Sequence, residues 1–292
     1  MEPDYRRSLR LALAEKRLWP AGLLAALALS EAWWAVFGWG PEYLGERWRN
    51  AIAGRLGDAW ALVAFVAAAT AAFAVTRALG YLAEMVLIRQ VAEGESGPIP
   101  GFAAAFSTSR DRYPSLAAAL LPWDVLRAVL IHLPAAVIAV WERWDPRLDH
   151  VVLYISVTLL WLGLLAAAAF LVGVTAALAG RLALLRRLGA RAAWSGGWKL
   201  MRRRTAKCLA VWMQVLAAEI AFVAVAWPLS ALVPWAARLA ARSTGVTVVR
   251  GFIYSLAYAL LAGTLIAGQT LVQCYRSSLW TIACIELARG ED

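Results

Sequence analysis

Residues 181–207, RLALLRRLGARAAWSGGWKLMRRRTAK, hold nine Lys and Arg residues and no acid, and they stand between two of the longest apolar runs in the chain. Positive charge set against runs of spanning length fixes how a protein sits in a bilayer, because Lys and Arg stay on the side of the anionic headgroups. The stretch therefore predicts an all-α, polytopic membrane helical bundle.

Composition agrees. At 292 residues, with 62% hydrophobic and 16% charged side chains, the chain is too apolar for an ordinary soluble domain. A net charge of +10 would suit a nucleic-acid binder, but the charge lies beside the apolar runs, so the expected partner is the anionic inner leaflet and not nucleic acid. Arg heavily outnumbers Lys and Ala is abundant, a composition typical of high-GC bacterial genes. Cys208, Cys274 and Cys284 form no CxxC pair and have no His at ligand spacing, so reduced structural thiols are expected, with no metal and no cofactor.

Hydropathy divides residues 1–292, read as a single integral membrane domain, into six spans at about 18–39, 59–92, 116–141, 151–180, 208–235 and 249–287. The second continues through Arg77 and Glu84 with no breaker stronger than Gly80. At 1.5 Å per residue it reaches about 50 Å and outruns a hydrocarbon core of about 30 Å. The sixth is long for the same reason. EGESGPIPG (93–101) then breaks the chain with Pro and Gly. With the ends of the two long helices counted on the side each faces, twenty of the 29 Lys and Arg fall with the termini and even loops, eight with the odd loops, and only Arg127 is left inside a span. This bias places both termini in the cytoplasm. Trp19, Trp39, Trp60, Trp141, Trp144 and Trp235 mark the span ends, where an indole prefers to lie. The Arg6-Arg7 pair is not read as an export signal, because Lys16 and Arg17 interrupt the approach to the apolar run and no small-residue cleavage site follows.

Short amphipathic segments precede the outward-going spans: 5–19, 101–114 and the region of Trp194, Trp198 and Met201, whose i, i+4, i+7 spacing reads as a helix on the membrane surface. There Arg186, Arg187, Arg191, Trp194, Trp198, Lys199, Arg202, Arg203 and Arg204 are the expected lipid headgroup contacts. AAAFSTS (103–109) echoes AAWSGGW (192–198), so the chain reads either as three helical hairpins, each with a surface foot, or as convergent basic feet.

ARAAWSGGWKLMRRR (190–204) and QCYRSSLWTIAC (273–284) resemble a group of bacterial six-span proteins related to the membrane domain of glycerophosphoryl diester phosphodiesterases. In those enzymes the hydrolase is a separate soluble domain. The resemblance implies a membrane domain without phosphodiesterase activity, and it supplies no catalytic residue.

Ionisable groups within a bilayer cost at least about 2.5 kcal/mol each. Asp124 and Arg127 stand i, i+3 apart and can pair; His132 shares their span. Gln214 and Glu219 lie on the fifth span, where Pro228 predicts a kink, and Gln269 and Gln273 stack at i, i+4 on the sixth. These seven form the candidate polar intramembrane site. Read functionally, they line a cavity open to the cytoplasm for a headgroup, ion or small solute. Read structurally, they are interhelical bonds worth about 1 kcal/mol or less each, the favoured account of the glutamines. The acids expected to neutralise Arg127 are, in order, Asp124, Glu84 and Glu219. A stripe of small residues, Ser255, Ala259, Gly263 and Ala267, suits close helix packing within the chain or a homo-oligomer.

No Walker loop, HExxH, GxSxG or paired-acid motif is present. The expected function is a non-enzymatic transport or assembly component of a bacterial cytoplasmic membrane, working with a cytoplasmic protein partner or as a homo-oligomer. The alternative is an intramembrane enzyme acting on a lipid, with Glu219 and His132 as acid and base. The topology makes a direct prediction: thiols introduced at Gly45 and Asp145 react with an impermeant reagent in intact cells, whereas one at Ser195 does not. Reaction at Ser195 would reverse the orientation.

Overall fold

Long apolar runs, and shorter stretches with a 3.6-residue apolar period, form helices over most of what the computed structural model describes, residues 4–29, 59–127, 151–243 and 246–289. Among the described residues there is no strand. The order is α1 (Asp4–Ala14), a 3₁₀ turn (Lys16–Leu18), α2 (Trp19–Leu29), α3 (Ala59–Gly94), α4 (Phe102–Ser109), a second 3₁₀ turn (Arg110–Arg112) and α5 (113–127). Then come α6 (Val151–Ala168), a π-helical turn (Ala169–Gly173), α7 (Val174–Leu185), α8 (Ala190–Arg203), α9 (Thr205–Arg242) and α10 (Thr247–Arg289). Among the described residues three segments, Leu159–Leu185, Thr205–Ala241 and Thr247–Arg289, are long and apolar enough to cross a membrane. Glu31, Gly45, His132, Pro134, Asp145 and the first and third loops lie outside the described residues.

The expected long helices form. α3 has 36 residues and α10 has 43. α9 passes through both Pro228 and Pro234 and continues to Arg242. A turn of π-helix inside the run 151–185 has no counterpart in the sequence reading. Helix starts follow local chemistry. α2 opens Trp19-Pro20 and α5 opens Tyr113-Pro114, each directly after a 3₁₀ turn, with proline in the first helical turn where its missing N–H is harmless. α4 and α8 start from extended glycines of matching geometry, Gly101 (φ −67°, ψ 163°) and Gly189 (φ −66°, ψ 157°).

These parallels extend to packing. Each short helix buries two small residues four apart: Ser8 and Ala12 in α1, Ala105 and Ser109 in α4, Ala193 and Gly197 in α8. The pairs let backbones approach closely. α4 packs on α3, α8 packs on α7, and α1 packs on α10, the last helix of the chain. The first short helix thus occupies against the last long helix the place that the other two hold against their predecessors, which closes a ring of three units. Arginines stitch the ring: Arg17 donates to Ile99 O at 2.7 Å, Arg112 to Arg187 O at 3.3 Å and Arg186 to Ala288 O at 3.2 Å.

Three apolar clusters sit at this end. One joins α1, α2, α3 and α10 around Leu18, Leu87 and Ile282; a second joins α3, α5 and α7 around Ile88, Leu116 and Leu184. The third joins α5, α7, α8, α9 and α10 around Leu178, Leu200 and Leu279. Away from them the long helices expose large apolar side chains, among them Leu159, Leu160, Ile220, Trp227 and Phe252, which suits contact with lipid. The stripe Ser255, Ala259, Gly263 and Ala267 is exposed on α10.

The stripe on α8 differs from the expected membrane-facing one. Ala193, Gly197, Leu200 and Met201 are buried against the protein, and Trp194 donates its indole N–H to Ala119 O at 2.9 Å. Only Trp198 of the aromatic stripe is exposed. The amphipathic period is real, but much of the apolar face is covered by α7 and α5. A Cβ on Gly197 would lie 2.9 Å from Thr175 O and 3.0 Å from Ala179 N. Gly197→Val should therefore cost about 1–3 kcal/mol and lower the thermal midpoint in detergent. Gly251→Ala, on an open helical face, should be neutral or slightly stabilising. Equal behaviour of the two variants would contradict this packing.

Candidate functional site

The helical period places Arg77, Tyr81 and Glu84 on one face of α3, at i, i+4 and i+7. Each belongs to a polar centre between helices. Glu84 faces α7, where Arg181 is the largest fully buried side chain described. Arg181 Nη2 lies 2.7 Å from Glu84 Oε1, with side-chain exposures of 2% and 7%. The same Nη2 donates to Ser277 O at 3.3 Å, Nη1 donates to Ala177 O at 3.0 Å, and Ser277 Oγ donates to Glu84 Oε1 at 3.2 Å. One guanidinium thus ties α3, α7 and α10, the closing long helix of each unit. Charge-assisted bonds of this kind are needed to keep such a group in an apolar setting.

Asp124, on α5, collects the second centre. Tyr81 donates its hydroxyl to Oδ2 at 2.7 Å, while Arg127 Nη2 and Arg77 Nη1 lie 3.4 and 3.7 Å from Oδ1. The first-ranked partner of Arg127 is therefore in place, and Asp124 also serves Arg77. The third centre joins Arg276 Nη1 on α10 to Glu219 Oε1 on α9 at 3.7 Å.

These centres line one cavity of about 370 Å³. Its walls come from α3, α5, α6, the π turn, α7, α9 and α10, with Trp123, Leu165, Leu216 and Trp280 among the apolar surfaces. The π turn contributes Ala169 and Gly173 to the wall. Its Phe170 meets Trp212 edge to face at 5.7 Å between ring centres. π turns recur at functional sites because the extra residue re-aims side chains without ending the helix.

Of the seven residues proposed from sequence, the cavity brings together Asp124, Arg127 and Glu219. Gln214, Gln269 and Gln273 are not among its lining residues, and His132 lies outside the described residues. Gln273 is buried on α10, one turn before Ser277. Sequence reasoning missed Arg77, Tyr81, Arg181 and Arg276 as site residues. Arg181 had been counted with the surface charges. The usable signal was its setting, AALAGRLALL, apolar on both sides. No group of three or more His, Cys, Asp or Glu side chains suited to a metal forms among the described residues.

Compared with known proteins, the chain matches no family, no curated protein and no solved structure.

Arg181→Leu should cost about 3–5 kcal/mol, because it strands the Glu84 carboxylate away from water. Glu84→Leu/Arg181→Leu should be clearly more stable than either single variant. Chemical unfolding of the four proteins in detergent measures the coupling; strictly additive losses would exclude the pair as the tie between these helices.

Proposed function

We propose that the chain is a six-span component of a bacterial cytoplasmic membrane, with both termini cytoplasmic. It admits a polar solute or headgroup between its helices, and serves transport or the assembly of partner proteins with no chemistry of its own. The observation that carries this reading is the cavity: four arginines and three acids converge inside a helical bundle whose outer surface is apolar. Ionisable groups held in such a place mark a pathway or a binding site, since purely structural packing would use apolar side chains at lower cost.

α1, α4 and α8 serve in this account as interfacial feet on the cytoplasmic side. Arg186, Arg187, Arg191, Trp198, Lys199, Arg202, Arg203 and Arg204 are exposed on the side this account gives to anionic headgroups, whereas the Trp194 indole is used inside the protein. The resemblance to phosphodiesterase membrane domains favours a membrane part that works with a soluble protein partner.

The test is access. Cys208, Cys274 and Cys284 are buried, so replacing them leaves a clean background. A small water-soluble thiol reagent should label Leu216→Cys, on the cavity wall, in the folded protein. Ala177→Trp, which fills the same cavity, should suppress that labelling. A Leu216→Cys variant as inert as Leu160→Cys on the apolar outer face would remove the proposed route for solute.

A further inference from the structure

Four guanidinium groups and three carboxylates line the cavity among the described residues. The acids are unequally committed. Glu84 is held at 2.7 Å by Arg181 with both side chains buried, and Asp124 receives Tyr81 at 2.7 Å as well as two arginines. Glu219 and Arg276 form the loosest pair, 3.7 Å apart and with 43% and 25% of their side chains exposed. At that distance the guanidinium fork is not engaged by the carboxylate. It is the arm most easily drawn to another anion.

A phosphoryl group is the anion whose geometry and charge best suit this arm. Its oxygens match the parallel N–H donors of the fork, and a second negative charge lets it compete with one carboxylate. The remaining walls are not polar. Leu120, Trp123, Leu165 and Leu216 surround the charged groups, and about 370 Å³ is more room than one phosphate fills. A bare hydrophilic ion would leave those apolar walls wetted, whereas a chain attached to the phosphate would cover them.

We propose that the cavity binds the phosphoryl head of an amphiphile, with Arg276 as the primary contact and the apolar walls holding the adjoining carbons. This rests on the accessible-cavity reading given above. Because Ser277 follows Arg276 directly and belongs to the junction with Glu84 and Arg181, a bound head lies beside the tie between α3, α7 and α10. Occupancy should therefore raise the stability of the folded bundle.

The experiment is thermal unfolding of the purified full-length chain in a non-ionic detergent, titrated separately with hexyl phosphate, inorganic phosphate and hexyltrimethylammonium. Hexyl phosphate should give a saturable rise in midpoint, inorganic phosphate should need at least about tenfold more ligand for the same rise, and the cation should give none. Arg276→Gln should weaken hexyl phosphate about tenfold, while Glu219→Gln, which removes the competing carboxylate, should tighten it. An equal response to inorganic phosphate would overturn the amphiphile and make free phosphate the ligand. An equal response to the cation, or wild-type affinity in a folded Arg276→Gln protein, would overturn the site. Labelling of Leu216→Cys separates the two readings: a labelled protein indifferent to hexyl phosphate loses the ligand class but keeps the open cavity, and an unlabelled, indifferent protein loses both.

Discussion

A buried guanidinium cannot be left alone, and the structure is arranged around one. Arg181 is nearly inaccessible, cannot discard its charge, and is met by Glu84 from one unit of the ring and by Ser277 from another. Satisfying it requires α3, α7 and α10 to arrive together in one register. Apolar contacts tolerate sliding by a fraction of a turn; this junction does not, since its bonds are directional and loss of one partner strands a charge. The pair is better understood as fixing register than as a large net source of stability, because the cost of dehydrating two ions offsets much of their attraction.

The three apolar clusters follow from that convergence. They lie at the end of the bundle where the short helices pack, and glycines permit close crossings beside two of them: Gly22 of α2 approaches α10, and Gly197 of α8 approaches α7. Away from this end the helices present apolar surfaces to their surroundings, while Asp124, Glu219 and their arginines meet at the cavity. Lipid supplies no hydrophobic drive to bring helices together, so polar ties and small-residue contacts must do so. The concentration of both at one end is what that physics asks for.

Much of this was legible in the sequence because it is local. Period, length and punctuation gave α3 through Arg77 and Glu84, the break at EGESGPIPG, the short helix after Gly101, and the Asp124–Arg127 pair at i, i+3. The threefold echo between AAAFSTS and AAWSGGW is matched by buried pairs at the same places, Ala105/Ser109 and Ala193/Gly197, with Ser8/Ala12 as a third. What escaped was the partnering of distant residues. Glu84 and Arg181 are separated by 97 positions, and no pattern within either helix says which residue it will face. Counting arginines by side treats Arg181 as one more surface charge. The same limit explains α8: amphipathic period shows that one face seeks cover, but Trp194 reveals only through its bond to Ala119 O that the cover is protein.

The central claim is that one buried contact holds three helices in register. Hydrogen exchange of the Arg181→Ala protein, compared with wild type, tests it most directly, because exchange reports each helix separately. The account predicts that amides around Glu84 on α3 and around Ser277 on α10 lose protection together with those flanking residue 181 on α7. Loss confined to α7, with α3 and α10 as protected as in the wild type, would contradict it.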